Sequence, residues 1–187
     1  MILIAITGAT GISLAIELLK ILKEKNVSTE LIISKAAKVV LNSETELKLS
    51  YFNNLATYIY DVDDLGSPPA SGSHKLDAMI IVPCTMKTLA SIAHGYADNL
   101  ITRAADVTIK EKRKLVLVVR ESPLSAIHLE NMLKLAKLGV IIAPPVPSYY
   151  IKPKSVSELI NHSVGRILDQ IEIDSGIKRW KDEQLES

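Results

Sequence analysis

The sequence predicts an α/β fold, a single domain built on a parallel β-sheet with helices on both of its faces. Short apolar runs alternate with segments of helical spacing, which is the pattern of consecutive βαβ units. The 187 residues suffice for one domain with a full core, because 48% of them are hydrophobic and only 23% are charged. No internal repeat or low-complexity tract interrupts the alternation.

Six apolar runs are the candidate strands. The run 78–82 is uniformly apolar, as expected of a strand that is buried on both faces of a parallel sheet. Pro83 is expected to end it, because proline has no N–H for the ladder. The run 57–60 is short and is expected at a sheet edge. In chain order, the candidate strands are 2–6, 30–34, 57–60, 78–82, 115–119 and 140–143.

Segments with apolar residues every three or four positions are the candidate helices. The segment 64–74 contains two prolines and two glycines and is predicted to be a loop. We expect the folded domain to span 1–172 and a charged tail to span 173–187. The candidate helices are 12–25, 35–41, 85–94, 100–112, 125–138 and 155–171.

Charge and cysteine content exclude several classes of protein. The net charge of +1 gives no reason to expect nucleic-acid binding. Cys84 is the only cysteine, which excludes an internal disulfide framework and a cysteine-rich zinc site. No apolar run is long enough to span a bilayer, and the start of the sequence lacks the charged region and cleavage site of a signal peptide. We therefore expect a cytoplasmic protein.

The first βα turn, residues 7–11 with the sequence TGATG, has the composition of a phosphate-binding turn. Its glycines allow a tight turn, and the N–H groups and dipole of the next helix favour an anion. A dinucleotide motif would place another glycine near Ser13 and an acid after the second strand, which instead ends in ISK. The turn thus favours a mononucleotide such as flavin mononucleotide (FMN) over NAD, with a ligand-free helix cap as the alternative.

A second hydroxyl-rich turn, residues 82–88 with the sequence VPCTMKT, follows the fourth run. Thr85 and Thr88 have the spacing of a helix N-cap and the third residue after it. We expect this turn beside the first one, because the carboxyl ends of parallel strands meet at one edge of the sheet. Plain helix capping is the alternative. Cys84 is a candidate nucleophile here, although a buried structural cysteine is the simpler interpretation.

Arg120 and Glu121 come directly after the fifth run, just before Pro123. Ligands of open α/β sheets bind outside the carboxyl ends of the strands, so a cation and a carboxylate at this position indicate an anionic substrate. A solvated turn is the alternative interpretation.

Several ordered segments resemble the UbiX-type flavin prenyltransferases, a family formerly described as aromatic-acid decarboxylases. The matching segments are TGATG, ISKAAKVV with the following SETE, PPASGS, PCTMKTLASIAHG, DNLITRAADVTIKEKRKLVLVVRESP, IHLENMLKLAKLG and PPVPSYYIKP. The resemblance implies a three-layer Rossmann-like or flavodoxin-like fold for the domain 1–172, assembled as a homododecamer. The implied reaction transfers a dimethylallyl group from dimethylallyl monophosphate to reduced FMN and closes a fourth ring, and the product serves a UbiD-type decarboxylase.

The resemblance also implies roles for individual residues. The implied flavin-binding residues are Gly8, Ala9, Thr10, Ser34, Thr85, Met86, Lys87, Thr88 and Arg120. The implied binders of the prenyl phosphate are Tyr150, Arg166 and Arg103, and the implied catalytic residues are Glu121, Glu44 and Lys110. The chain departs from the family at Thr10 and Thr85, where serine is usual, and at Leu65, where some relatives have an aromatic residue. The departure at Leu65 leaves the shape of the prenyl pocket open.

The chemistry agrees with these roles, because arginine, lysine and tyrosine donate charge-assisted hydrogen bonds to a phosphate. Glu121 can exchange a proton with the leaving phosphate as a general acid or base. We therefore expect side-chain cations to replace a metal ion. The alternative is that the acidic cluster Asp61, Asp63 and Asp64 binds magnesium. Taken singly, Lys110 and Arg166 are equally compatible with solvated or ion-paired surface positions.

Two other functions remain as alternatives. FMN-dependent cysteine decarboxylases carry a Pro-x-Met-Asn-x-x-Met-Trp segment, whereas this chain reads PLSAIHLE from Pro123 and lacks the asparagine. A non-catalytic FMN-binding subunit would keep the same binding residues, and the sequence does not separate it from an enzyme.

Overall fold

The computed structural model describes residues 1–180 and contains one six-stranded parallel sheet within them. The strands are β1 (Ile2–Ile6), β2 (Thr29–Ile33), β3 (Tyr58–Tyr60), β4 (Ala78–Cys84), β5 (Lys114–Val119) and β6 (Ile141–Ile142). They lie in the order β3-β2-β1-β4-β5-β6, and every neighbouring pair is parallel. The predicted α/β fold is confirmed. The end of the predicted tail, 181–187, lies outside the described residues.

Six α-helices connect and follow the strands in the described part of the chain. They are α1 (Ile12–Glu24), α2 (Lys35–Glu44), α3 (Met86–Ala93), α4 (Leu100–Lys110), α5 (Ala126–Lys137) and α6 (Val156–Asp169). Side chains that accept hydrogen bonds from the first turn begin most of them, as polar N-caps do; these caps are Ser34, Thr85, Asn99, Ser125 and Ser155. None of the helices described is long and apolar enough to cross a membrane.

Helices cover both faces of the sheet, which gives three layers and two hydrophobic cores. On one face, Ile4 and Leu31 of the sheet pack in one cluster with residues of α1, α2 and α6. On the other face, Leu3 and Leu117 pack with residues of α3, α4 and α5. Because β1 and β4 are buried along their whole length, their sequences are uniformly apolar and not alternating.

The structure corrects some predicted boundaries. β4 does not end before Pro83 but continues through it to Cys84. Proline is tolerated there because the register with β5 shifts between Ile81 and Cys84, so the ladder does not require its missing N–H. β6 contains only two residues, since a Pro-Pro pair follows at 144–145. Three 3₁₀ turns were not predicted: Leu49–Asn54, Pro68–Ala70 and Tyr149–Ile151.

The strand order places a topological switch between β1 and β4. From β1 the chain first builds towards β3 at one edge of the sheet, and then returns to add β4 on the opposite side of β1. The helices that follow β1 and β4 therefore pack on opposite faces of the sheet. Such a switch opens a crevice outside the carboxyl ends of the two strands, where open α/β sheets bind ligands.

Candidate functional site

A cleft of about 510 Å³ lies in that crevice, above the carboxyl ends of β1, β2 and β4. This volume falls within the range of roughly 300–1,000 Å³ that is usual for small-molecule sites. Five of the sequence-predicted flavin-binding residues line the cleft: Gly8, Ser34, Thr85, Lys87 and Thr88. Hydroxyl and ammonium groups around a concave site suit the phosphate and the polyhydroxyl chain of an FMN molecule, so the donor set fits this group.

The first turn owes its shape to two glycines. A Cβ atom at Gly8 would overlap Ala36 of α2, so only glycine allows the turn and α2 to approach this closely. Gly11, the N-cap of α1, has a φ of 107°, in the left-handed region that favours glycine. Between them, the N–H of Ala9 donates to the carbonyl of Thr7 (3.0 Å), and Thr10 is exposed.

The N-terminus of α1 is already occupied by the carboxylate of Glu44. Its Oε2 accepts hydrogen bonds from the N–H groups of Gly11 and Ile12, both at 3.0 Å, and its Oε1 lies 3.1 Å from the Gly11 nitrogen. The sequence favoured a phosphate at this helix terminus, and in the structure a carboxylate stands there instead. The positive end of the helix dipole stabilises this carboxylate as it would a phosphate.

The second turn offers donors at the start of α3. Thr85 caps α3, since its hydroxyl oxygen accepts from the N–H of Thr88 (3.2 Å), and the two hydroxyl groups are 3.0 Å apart. Ser34 likewise caps α2 by accepting from the N–H of Ala37 (3.0 Å). Lys87 is exposed at the cleft, whereas Met86 packs against the core between the sheet and α3. The phosphate-binding features therefore concentrate at α2 and α3.

Arg120 and Glu121 extend the same edge of the sheet. The backbone N–H of Arg120 donates to the carbonyl of Cys84 (3.1 Å), so the Arg120 residue lies beside the second turn. Its side chain is exposed. Glu121 is also exposed, and its Oε1 accepts from the N–H of Ser122 (3.0 Å). A cation and a carboxylate thus stand at the carboxyl end of β5.

Two predicted site residues lie on α4. Arg103, near the start of the helix, donates to the carbonyl of Ala70 (3.1 Å) and to the carboxylate of Asp106 (2.8 Å). Lys110 is the last residue of α4 and pairs with Glu111 (2.7 Å), whose pKa is lowered mainly by that hydrogen bond. α4 has 11 residues and is therefore about 16 Å long, so Lys110 lies a full helix length from its cleft-lining first turn.

Tyr150 lies in the 3₁₀ turn that precedes α6, and Arg166 lies in the last turn of α6. The Tyr150 hydroxyl is 3.1 Å from Nε2 of His162 on α6. Arg166 is exposed in the last turn of α6 and donates to Asp169 (2.6 Å). Glu172, which follows α6, contacts the first residue of β5, whereas Arg166 itself lines a separate cavity of about 280 Å³ beside the segment that follows β6. Within one chain, neither Tyr150 nor Arg166 lines the cleft at the β1–β4 switch.

Burial accounts for the candidate nucleophile, and local pairing accounts for two of the candidate magnesium-binding aspartates. Cys84 is fully buried, and burial raises the pKa of its thiol to about 12, which disfavours a thiolate nucleophile. Asp63 pairs with Lys35 (2.6 Å), and Asp64 accepts from the hydroxyl of Ser67 (2.5 Å). Within residues 1–180 no group of three potential metal ligands is found. Leu65 is exposed.

Sequence reasoning missed part of the cleft wall. Asn99 and Thr102 at the start of α4 line the cleft, where they form a capping box with each other. The signal was present, because an asparagine directly precedes the apolar helical pattern LIT. Ser91 of α3 also lines the cleft, and its position gives no comparable signal.

Comparison with known proteins identifies close relatives. The model of the Flavoprotein family matches residues 1–172. The chain is 49% identical over 180 residues to the flavin prenyltransferase UbiX of Methanocaldococcus jannaschii, a match that covers 96% of this chain and 97% of the relative.

Two solved structures show the same architecture. A crystal structure of AnUbiX (PadA1) in complex with FMN and dimethylallyl pyrophosphate has a TM-score of 0.95 and 49% sequence identity, and 96% of each chain is covered. A dodecameric FMN-dependent UbiX-like decarboxylase from Escherichia coli O157:H7 has a TM-score of 0.94 and 46% identity, covering 96% of this chain and 98% of the other. The similarity therefore extends over nearly the whole chain in both sequence and fold.

Proposed function

The chain belongs to the Flavoprotein family and, within it, to the flavin prenyltransferases; from this premise we propose that it transfers a dimethylallyl group from dimethylallyl monophosphate to reduced FMN. The observation that carries the proposal is the cleft at the β1–β4 switch, with its hydroxyl-rich and basic lining. Reduced FMN, when bound, supplies the nucleophile. The residues of the chain bind it, orient it and keep water from the reacting carbon.

We assign the FMN phosphate to the starts of α2 and α3. Glu44 already occupies the N-terminus of α1, and two anions at one helix terminus would repel each other. The hydroxyls of Ser34, Thr85 and Thr88, together with Lys87, offer donors at the other two helix starts. Gly8, Ala9 and Thr10 would then lie along the flavin, as would Met86.

The leaving phosphate of the donor requires positive charge and a proton. Arg120 lies beside the second turn with its side chain exposed, which suits it to contact both the flavin and the prenyl phosphate. Glu121 follows the carboxyl end of β5 and Glu44 lies at the N-terminus of α1, and we propose that these carboxylates hold or move the proton. Arg120 would thus supply the positive charge, and the two glutamates would supply the proton.

We further propose that neighbouring copies complete the site. Lys110 lies at the far end of α4 and Arg166 lines a separate cavity beside the segment after β6, so neither lines the cleft of its own chain. α5 buries only Asn131 and Leu135 and leaves large apolar side chains exposed, including Ile127 and Leu133. Such a surface favours association. A homododecamer, as in the E. coli relative, would bring Arg103, Lys110, Tyr150 and Arg166 of one copy towards the cleft of another.

The experiment that tests the function is anaerobic incubation with reduced FMN and a prenyl donor, followed by mass spectrometry of the flavin. We expect a flavin that is heavier by one dimethylallyl group with the monophosphate as donor. A parallel reaction with the diphosphate decides between donors, since the AnUbiX structure contains the diphosphate. Flavin that is bound but never alkylated would instead support a non-catalytic FMN-binding subunit. NAD binding without FMN binding would exclude both the prenyltransferase and the FMN-binding subunit.

A second experiment tests the shared site. Thr88→Val alters the cleft and Lys110→Met removes the distant cation, so each variant alone should lose activity. Co-expressed at equal amounts, they should recover about a quarter of the wild-type activity, because some sites then combine an intact cleft with an intact lysine. No recovery in a mixed oligomer would show that both residues act within one chain.

The product is proposed to serve a UbiD-type decarboxylase in the cytoplasm. Adding the product-loaded protein to such an apo-decarboxylase should restore its activity, and cell fractionation tests the location. The cysteine decarboxylase alternative is not favoured, because relatives at about half identity over nearly the whole chain are flavin prenyltransferases.

A further inference from the structure

Tyr150, which the proposed function places at the prenyl phosphate, is held by a buried histidine. Its hydroxyl oxygen is 3.1 Å from Nε2 of His162, and the two rings meet edge to face with centroids 5.5 Å apart. His162 is 4% exposed, whereas Tyr150 is 37% exposed. One side of the phenol is therefore fixed by α6, and part of the residue remains accessible.

A second contact defines where the imidazole carries its proton. The same Nε2 atom is 3.1 Å from the backbone carbonyl oxygen of Lys178. A carbonyl oxygen only accepts, so Nε2 must carry a hydrogen to make this bond. Nε2–H then cannot accept from Tyr150, and the phenol oxygen becomes the second acceptor of that hydrogen. The hydroxyl proton of Tyr150 is left to point away from His162.

We propose that His162 is a positioning residue for prenyl-phosphate binding, which orients the Tyr150 hydroxyl so that its proton is available to the phosphate. The inference rests on the proposed role of Tyr150. A donor that is already oriented loses less rotational freedom when the phosphate binds, and this favours binding of the substrate. The contact with Lys178 adds a second anchor, because it fixes the imidazole from the segment that follows α6.

Packing alone explains His162 poorly. Nδ1 is buried and has no hydrogen-bond partner in the part of the chain that the structure describes. An unpaired buried nitrogen is unfavourable, and a phenylalanine of similar shape would avoid that cost. A histidine at this position is therefore better explained by what its other nitrogen does.

Nitrogen NMR of the wild-type oligomer tests the proton assignment without reference to activity. Histidine-selective ¹⁵N labelling with magic-angle-spinning spectroscopy distinguishes protonated from unprotonated ring nitrogens, and His162→Gln identifies the signal of interest. We expect a neutral ring with the proton on Nε2. A ring protonated on Nδ1 alone would overturn the proposal, whatever reaction the protein performs.

Steady-state kinetics test whether the orientation of the Tyr150 hydroxyl by His162 favours binding of the prenyl donor. His162→Phe should lower kcat/KM for the prenyl donor about tenfold, mainly through KM, while the Kd for FMN stays unchanged. His162→Gln retains an N–H donor and should recover part of the loss. In a Tyr150→Phe background, His162→Phe should have almost no further effect, because the hydroxyl it orients is gone. His94→Gln, an exposed histidine at the end of α3, is the control.

The outcomes separate the inference from the function on which it rests. If Tyr150→Phe leaves the kinetics of the prenyl donor unchanged, the proposed role of Tyr150 fails and the inference fails with it. If Tyr150→Phe slows the reaction but His162→Phe does not, or if the two losses are fully additive, only the positioning role of His162 is wrong.

Discussion

Thr7 and Thr85 link the two turns at the β1–β4 switch through the hydroxyl group of Thr7. The backbone N–H of Thr85 donates to Oγ1 of Thr7 (2.9 Å), and the Thr7 hydroxyl donates to the carbonyl of Pro83 (2.7 Å). Thr7 is 2% exposed, so water cannot replace these bonds. The Thr7 side chain therefore adds two hydrogen bonds to the backbone bond from Thr7 N–H to the Pro83 carbonyl (3.3 Å) in holding the β1–α1 and β4–α3 turns together.

Thr7→Val should destabilise the protein and weaken FMN binding together. The substitution keeps the size of the side chain but leaves the partly buried N–H of Thr85 without its acceptor, which costs about 1 kcal/mol. Thr7→Ser keeps the hydroxyl and should behave closer to the wild type. Denaturant unfolding and equilibrium FMN titration measure the two effects. Unchanged FMN affinity in a destabilised Thr7→Val protein would show that the turns do not need this link to bind flavin.

Glu44 should have two separable roles, as a cap of α1 and as a group that handles a proton. Glu44→Ala removes the acceptor for the N–H groups of Gly11 and Ile12, and losing an N-terminal cap costs about 1 kcal/mol. Glu44→Gln keeps an acceptor and removes the charge, so it should preserve most of the stability. If the carboxylate acts in catalysis, Glu44→Gln should nevertheless lower kcat.

Unfolding curves and single-turnover rates measured on both variants separate the roles. Glu46→Gln, an exposed carboxylate two residues away, is the matched control and should affect neither quantity. Wild-type turnover by Glu44→Gln would restrict Glu44 to capping.

The sequence predicted those features that depend on local patterns. The structure contains the predicted buried strands, turn glycines and Thr85 cap. Each of these features depends on residues that are adjacent in the sequence. Glu44 at the start of α1 was not foreseen as a cap, because the contact spans 33 residues and is created only when α2 packs beside the first turn. The contact of Tyr150 with His162 likewise depends on how the loop after β6 folds back on α6.

Asp169 should make the end of α6 sensitive to acid. Its pKa is lowered mainly by the hydrogen bond from Arg179, with further contributions from the charges of Arg179 and Arg166. The lower pKa means that the folded protein prefers the ionised carboxylate. The stabilisation is therefore complete above the pKa of a free aspartate, near 4, and is lost as the pH falls through the lower folded-state value.

Asp169→Asn should remove this pH dependence. At neutral pH we expect a loss of about 1 kcal/mol of stability, and the difference from the wild type should shrink as the pH falls below about 4. Unfolding midpoints measured from pH 3 to pH 7 test this, with Glu24→Gln at the exposed end of α1 as the control. A constant difference across the whole range would contradict the assigned ion pairs.

Prenyl transfer should proceed without a metal ion. Enzymes that use diphosphate donors hold magnesium between clustered carboxylates, but Asp63 is paired with Lys35 and Asp64 accepts from Ser67, so both are committed to local bonds. A monophosphate leaving group carries less charge, which Arg120, Lys110 and Arg166 can neutralise. We expect turnover of reduced FMN with dimethylallyl monophosphate to be unchanged in excess EDTA. Asp61→Asn, in the same acidic cluster but outside the cleft lining, should keep full activity as well. Activity that disappears with the chelator and returns on addition of magnesium would show that the side-chain cations do not suffice.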